Sequence, residues 1–264
     1  MLLIERPPIA PARPPFRAIS NLLVYATEID KLGELCRVAI SGVDILVQAF
    51  ELVGLDLENE HADLRYAQQR ALEEEKQGHR LLLAHSVVAL WGALETAIPQ
   101  FCRDWLLAFP QTLEFPAFSK LRLPMSVVLE EDRTVVMEQC VEEVSRSAGA
   151  PLKVGVGRFE LLLQALGIIV PLAKEERDLF FEFSKLRNVF AHQSGIADRR
   201  FVAECPSFGA TVGEPVPMRW GHYHAYSGIV AQYALRVART AVELEKQYKK
   251  QAASSQDTRV GGDE

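Results

Sequence analysis

The segment Leu81–Ile98, LLLAHSVVALWGALETAI, sets the fold class of this chain. Its large apolar residues recur at intervals of three and four, the spacing of one buried stripe on an α-helix. The stripe consists of Leu83, Val87, Leu90, Trp91, Leu94 and Ile98. Because His85 and Glu95 interrupt the segment, it is too polar and too short to read as a membrane span. We therefore expect a core helix and no membrane partner.

The positions of the prolines predict where further helices lie along the chain. Five of the 14 prolines lie in the first 15 residues, and none occurs from Phe16 to Ile98. Since proline costs about 3 kcal/mol inside a helix, this stretch can hold long helices. We predict helices over residues 27–53, 81–98, 125–146, 158–166, 174–192 and 222–248. No segment shows a convincing strand pattern, so we expect an all-α fold.

Composition shifts divide the chain into four predicted regions. Residues 1–17 form a proline-rich, flexible N-terminus, and residues 18–80 form an N-terminal helical extension. Residues 81–250 form the main helical domain, and the polar residues 251–264 form a disordered tail. The many charges over residues 58–80 could mark an acidic recognition arm, but they are more typical of a solvated helix face.

Charge and cysteine content exclude several classes of protein. The chain of 264 residues has 29 basic and 35 acidic residues and a net charge of −6, so it lacks a general basic surface for nucleic acid. Its four cysteines are far apart in sequence (Cys36, Cys102, Cys140 and Cys205). This spacing argues against a zinc ribbon, a redox motif or a disulfide framework. Free thiols and the lack of a secretory signal pattern favour the cytoplasm.

The chemically distinctive stretch is Glu182–Gly195, EFSKLRNVFAHQSG. On a helix, Asn188 and His192 lie one turn apart on the same face, and the long side chain of Arg187 can reach across to them. A guanidinium suits two phosphate oxygens, and an imidazole can accept or give a proton near neutral pH. Together these groups suffice for phosphoryl transfer without a metal or another cofactor.

The string of Arg187, Asn188 and His192, followed by Gly195, resembles the signature of the HEPN superfamily. Residues 158–167 resemble the helix and Leu-Gly turn that several HEPN families place before this motif. Residues 90–95 resemble their earlier helix, which often bears a polar residue facing the site. The resemblance covers about residues 80–245 and implies a helical bundle of HEPN type that forms a homodimer.

The resemblance also implies a function and a set of roles. Many members are metal-independent endoribonucleases of toxin–antitoxin or phage-defence systems, regulated by an antitoxin or other partner protein. His192 would be the general acid/base, Arg187 would hold the phosphate, Asn188 would orient the site, and Glu95 would give polar support. The expected products are a 2′,3′-cyclic phosphate and a 5′-hydroxyl. Residues 151–200 carry a net charge of +2, which suits short single-stranded RNA.

Two alternatives remain open from the sequence. The chain can be a non-catalytic HEPN-like module that binds RNA, a nucleotide or another protein. It can also be a helical scaffold, because Arg187, His192 and Gly195 near a helix C-terminus also serve to terminate that helix.

Overall fold

The computed structural model describes residues 13–54, 62–147, 149 and 154–260, without side-chain detail for 252–260. Its helices are α1 (Arg17–Leu52), α2 (Ala62–Lys76), α3 (Arg80–Ala108), α4 (Pro116–Ser119), α5 (Met125–Val128), α6 (Arg133–Ser147), α7 (Gly157–Ala165), α8 (Lys174–His192), α9 (Arg199–Glu204) and α10 (Trp220–Val260). Two 3-10 turns add Pro110–Glu114 and Pro206–Phe208. No strand occurs among these residues, so the predicted all-α fold is confirmed.

The described chain divides into two compact units. The first unit takes the described parts of residues 1–23, 94–177 and 230–264, and the second takes the described parts of residues 24–93 together with residues 178–229. Four helices, α1, α3, α8 and α10, contribute residues to both units. The sequence-based boundary near residue 80 lies at the α2–α3 junction, which is inside the second unit.

The core of the first unit is built from aromatic residues of α3, α7 and α10. Phe101, Trp105, Phe159 and Tyr233 are at most 1% exposed. Pro99 lies inside α3 although proline disfavours a helix interior. The helix continues because Ile98 and the aromatic residues that follow are fully buried, and tertiary packing outweighs local propensity.

The second unit buries the stripe of α3 that the sequence predicted. Trp91 packs edge-on against Phe183, with ring centroids 4.9 Å apart, and Phe183 stacks on Tyr226 at 4.8 Å. Gly33 of α1 lies under the ring of Trp220, where an added Cβ would come within 3.1 Å of the ring. This close approach leaves little room for a side chain, which explains why α1 has a glycine at position 33.

Several helix limits differ from the predictions. Helix α1 begins at Arg17, ten residues early, and residues 1–12 of the predicted flexible N-terminus lie outside the described chain. The predicted helix over 125–146 is two helices, because the Asp132 carboxylate accepts the Thr134 N–H at 2.8 Å and starts α6 anew. Helix α10 continues to Val260, so residues 251–260 are helical where a disordered tail was expected; residues 261–264 lie outside the described chain.

One described helix, α3, has the length and composition of a membrane-spanning segment. Its most apolar window has a mean hydropathy of 1.6, and 44% of that window is buried inside the structure. A core helix of a globular protein meets the same criteria.

Candidate functional site

Helix α8 carries the predicted motif, and its limits, Lys174–His192, match the prediction. Its apolar face is completely buried at Phe180, Phe183 and Leu186. Asn188 and His192 lie on the exposed part of the helix, and Arg187 is half-buried. The amphipathic pattern of α8 therefore holds the motif at the surface of the second unit.

The chain reverses direction directly after His192. Ser194 and Gly195 both have left-handed backbone conformations, with φ of 54° and 77°. The Gly195 N–H donates to the carbonyl of Val189 at 3.1 Å and closes the end of α8. A Cβ on Gly195 would lie 2.9 Å from the Arg80 guanidinium and 3.0 Å from the Phe190 ring. Only glycine fits this turn without strain.

The turn is then fixed by a short antiparallel contact with residues 213–216. The Val216 N–H donates to the Gly195 carbonyl at 2.9 Å, and the Ala197 N–H donates to the Glu214 carbonyl at 2.9 Å. The Asp198 carboxylate accepts the Phe201 N–H at 2.6 Å and caps α9. These bonds position α9 beside the C-terminal half of α8.

A cleft of about 340 Å³ lies between these two helices, within the second unit. Helix α8 and the following residue line one side with Lys185, Asn188, Val189, His192 and Gln193, and Asp198, Arg200, Phe201 and Glu204 line the other. Asn188 and His192 are thus brought together as predicted. A surface cleft lined by an imidazole, amides and charged groups can hold a small polar ligand.

Arg187 does not line this cleft. Arg187 precedes His192 by five positions, so the two side chains point about 140° apart around the helix. Its guanidinium nevertheless lies beside the cleft, because Arg187 Nη1 donates to Asn188 Oδ1 at 2.9 Å. Arg187 is thus bonded to Asn188, and Asn188 shares the cleft with His192.

Glu95 lies elsewhere, in the first unit. Its carboxylate accepts from Arg158 Nη1 at 2.5 Å. Both side chains line a separate cavity of about 360 Å³ between α3, α6 and α7. The structure therefore gives Glu95 an ion-pair partner and does not bring it to the cleft of Asn188 and His192, and its supporting role stays a prediction.

An ion pair that the sequence analysis missed crosses the cleft. Lys185, which is 8% exposed, places its Nζ 2.5 Å from Glu204 Oε2, and Arg200 Nε lies 3.0 Å from Glu204 Oε1. The hydrogen bond from Lys185 lowers the pKa of Glu204. Lys185, Asn188 and His192 follow one another at intervals of three and four, which places them on one face of a helix. This spacing could have predicted Lys185 as a residue of the site.

A second carboxylate at the cleft is also held ionised. The Phe201 N–H and the Gln193 amide both donate to Asp198 and lower its pKa. At neutral pH the charges of Lys185 and Arg200 therefore balance those of Asp198 and Glu204. Among the described residues, no group of three or more His, Cys, Asp or Glu side chains is arranged to hold a metal ion.

Comparison with known proteins adds no further constraint. No protein-family model matches the sequence, and no curated protein or solved structure is significantly similar to it.

Proposed function

We propose that this protein is a metal-independent endoribonuclease of the HEPN type that acts on single-stranded RNA. The observation that carries the proposal is that Asn188 and His192 line the cleft between α8 and α9, while Arg187 donates to Asn188 beside it. The three types of side chain and their spacing are those of the HEPN signature. RNA cleavage requires a base, which His192 supplies at the cleft, and a cation, which Arg187 supplies from beside Asn188.

The chemistry follows from the ribose. His192 takes the proton from a 2′-hydroxyl, and the resulting oxygen attacks the adjacent phosphorus. The bond from phosphorus to the 5′-oxygen of the next nucleotide breaks, that oxygen takes a proton from solvent water, and the His192 imidazolium returns its proton to the solvent. General acid/base catalysis of this kind contributes about 10²–10⁴-fold. The products are a 2′,3′-cyclic phosphate and a 5′-hydroxyl, and DNA is not cleaved because it lacks the nucleophile.

Arg187 would supply the charge that the reaction needs. Negative charge grows on the phosphate oxygens in the transition state, and a guanidinium can donate to two of them at once. The bond from Arg187 to Asn188 Oδ1 keeps the guanidinium next to the cleft before RNA binds. Asn188 is thus a positioning residue for Arg187.

The same resemblance supports a wider biological setting. We propose a cytoplasmic enzyme that works as a homodimer, in a toxin–antitoxin or phage-defence system, under the control of an antitoxin or other regulatory protein. Three of the four cysteines are buried free thiols, which agrees with a reducing compartment.

The test is cleavage of an end-labelled single-stranded RNA in the presence of EDTA. The wild type should cleave it, and His192→Ala should lower the rate by about 10²–10⁴-fold. His85→Ala is the matched control, because His85 is an exposed histidine of the same unit that does not line the cleft. Loss of cleavage on chelation, or equal cleavage by His192→Ala, would contradict the proposal.

A second candidate function is a non-catalytic module that binds RNA, a nucleotide or a protein. The observation in its favour is that Glu204 already pairs with Lys185 and Arg200, so these cations are not left to stabilise the negative charge that grows on a phosphate during cleavage. This candidate predicts RNA binding by fluorescence anisotropy without turnover, and equal affinity for the wild type and His192→Ala.

A further inference from the structure

The part of α1 that belongs to the second unit is apolar but largely uncovered. Between Lys31 and Leu52 the structure buries Gly33 and Val47, and the other side chains are half-buried or exposed. Large apolar side chains that are 41–68% exposed line one side of the helix: Val24, Tyr25, Leu32, Leu35, Val38, Ile45 and Leu46. We call these seven residues the α1 stripe.

The α1 stripe follows a heptad repeat. Val38 and Ile45 are seven positions apart, and so are Tyr25 and Leu32. Leu35, Gly42 and Ala49 form a third row between these two at the same interval. An apolar repeat of 3.5 residues keeps one face turned toward a partner helix, and small residues in the central row allow close approach. A stripe of this kind is built to pack against another helix.

Helix α2 does not serve as that partner. It contacts α1 through polar side chains on the flank of the stripe, where Gln68 donates to Asp44 at 2.7 Å and Arg65 pairs with Glu51. Tyr66 of α2 is itself 66% exposed. Beside α2, the seven residues of the stripe remain 41–68% exposed, so the stripe stays open.

The exposed area fits a specific interface. The seven residues expose on the order of 700 Å² per chain, so burial of most of this area would give a specific interface of the smaller class, with about 600 Å² per partner. Contiguous apolar patches on monomeric proteins are typically about 300–600 Å². A monomer would leave an unusually large apolar surface in water.

The charges beside the stripe favour a second copy of this chain over an anionic partner. Glu28 pairs with Lys31, and Glu34 pairs with Arg37, so this flank is balanced. A balanced flank does not repel its own copy. An anionic membrane or a nucleic acid would instead need an excess of lysine and arginine. The stripe can also meet itself across a two-fold axis, as isologous dimers require.

We propose that two copies of this protein associate through the α1 stripe, which forms a helix–helix interface across the dimer axis. This interface is defined by α1 alone, and it does not depend on RNA cleavage at His192.

Analytical ultracentrifugation over about 1–100 µM tests the proposal. The wild type should sediment with twice the 29.5 kDa mass of the chain. The double variant Leu35→Lys/Ile45→Lys should raise the dimer dissociation constant at least about 100-fold. Both side chains are 68% exposed, so the variant should keep its far-UV circular dichroism.

Tyr66→Lys is the control, since it replaces one large exposed side chain by lysine at a 66% exposed site of α2 outside the stripe. It should leave the dimer intact. If the wild type is monomeric over the whole concentration range, the proposal is wrong, and the stripe would then bind a different protein. An unchanged mass in the Leu35→Lys/Ile45→Lys variant would also overturn the proposal. Because these readouts need no RNA, they stay valid if the cleavage assay fails.

Discussion

Removal of Glu204 should destabilise the protein by leaving the charge of Lys185 buried. Lys185 is 8% exposed, and its Nζ lies 2.5 Å from Glu204 Oε2. Breaking a fully buried ion pair costs about 3–5 kcal/mol. The Glu204 side chain is 29% exposed, so when the carboxylate is removed water can make up for part of its interaction with Lys185. We therefore expect Glu204→Leu to lower the free energy of unfolding by about 2–3 kcal/mol.

Urea denaturation followed by circular dichroism measures this loss, and thermal melting should show a fall in Tm of about 4–12 °C. Arg200 is the other partner of Glu204, and its side chain is 73% exposed. Arg200→Ala should therefore lower the free energy of unfolding by at most about 1 kcal/mol. The double variant Lys185→Met/Glu204→Leu should recover most of the stability, because no unpaired charge is left buried and Arg200 remains solvated at the surface. A double variant as unstable as Glu204→Leu alone would refute the reasoning.

The same pair should give the wild type a pH-dependent stability. The pKa of Glu204 is lower in the folded protein than in the unfolded chain, chiefly because Lys185 donates a hydrogen bond to the carboxylate. Its contribution is thus fully present above the unfolded pKa and is lost as pH falls through the folded pKa. Stability measured against pH should fall less steeply in acid for Lys185→Met/Glu204→Leu. Parallel curves for the two proteins would show that Glu204 is not the group responsible.

Two further predictions concern the packing that holds the motif. Gly195→Ala forces a Cβ against Arg80 and Phe190 at a positive φ, so it should cost about 1–3 kcal/mol by urea denaturation. Gly213 also has a positive φ but open space around it, so Gly213→Ala should lower the free energy of unfolding by less than Gly195→Ala does. Equal losses would argue against the close contact at Gly195. Phe183→Ala removes a fully buried ring and should cost about 3–5 kcal/mol, and a loss below 1 kcal/mol would contradict the observed stacking.

Local patterns in the sequence predicted α8 and the face it exposes. The intervals between Phe180, Phe183 and Leu186 mark a buried stripe, and the same periodicity places Asn188 and His192 together on the opposite side. Helix ends were harder to predict, because they depend on hydrogen bonds between particular groups. Asp132 divides the predicted helix over 125–146 in this way, by capping α6.

Amino-acid sequence by itself determined the all-α class, the limits of α8 and the helix face that Asn188 and His192 share, because each rests on periodicity within one helix. Tertiary structure decided which distant groups share the cleft. Lys185 meets Glu204 only because the turn at Gly195 and the contact with residues 213–216 bring α9 back beside α8. Glu95 was assigned to the site by resemblance, yet the fold pairs it with Arg158 in the other unit. Contacts between residues far apart in the chain depend on the packing of several elements at once, which no local pattern records.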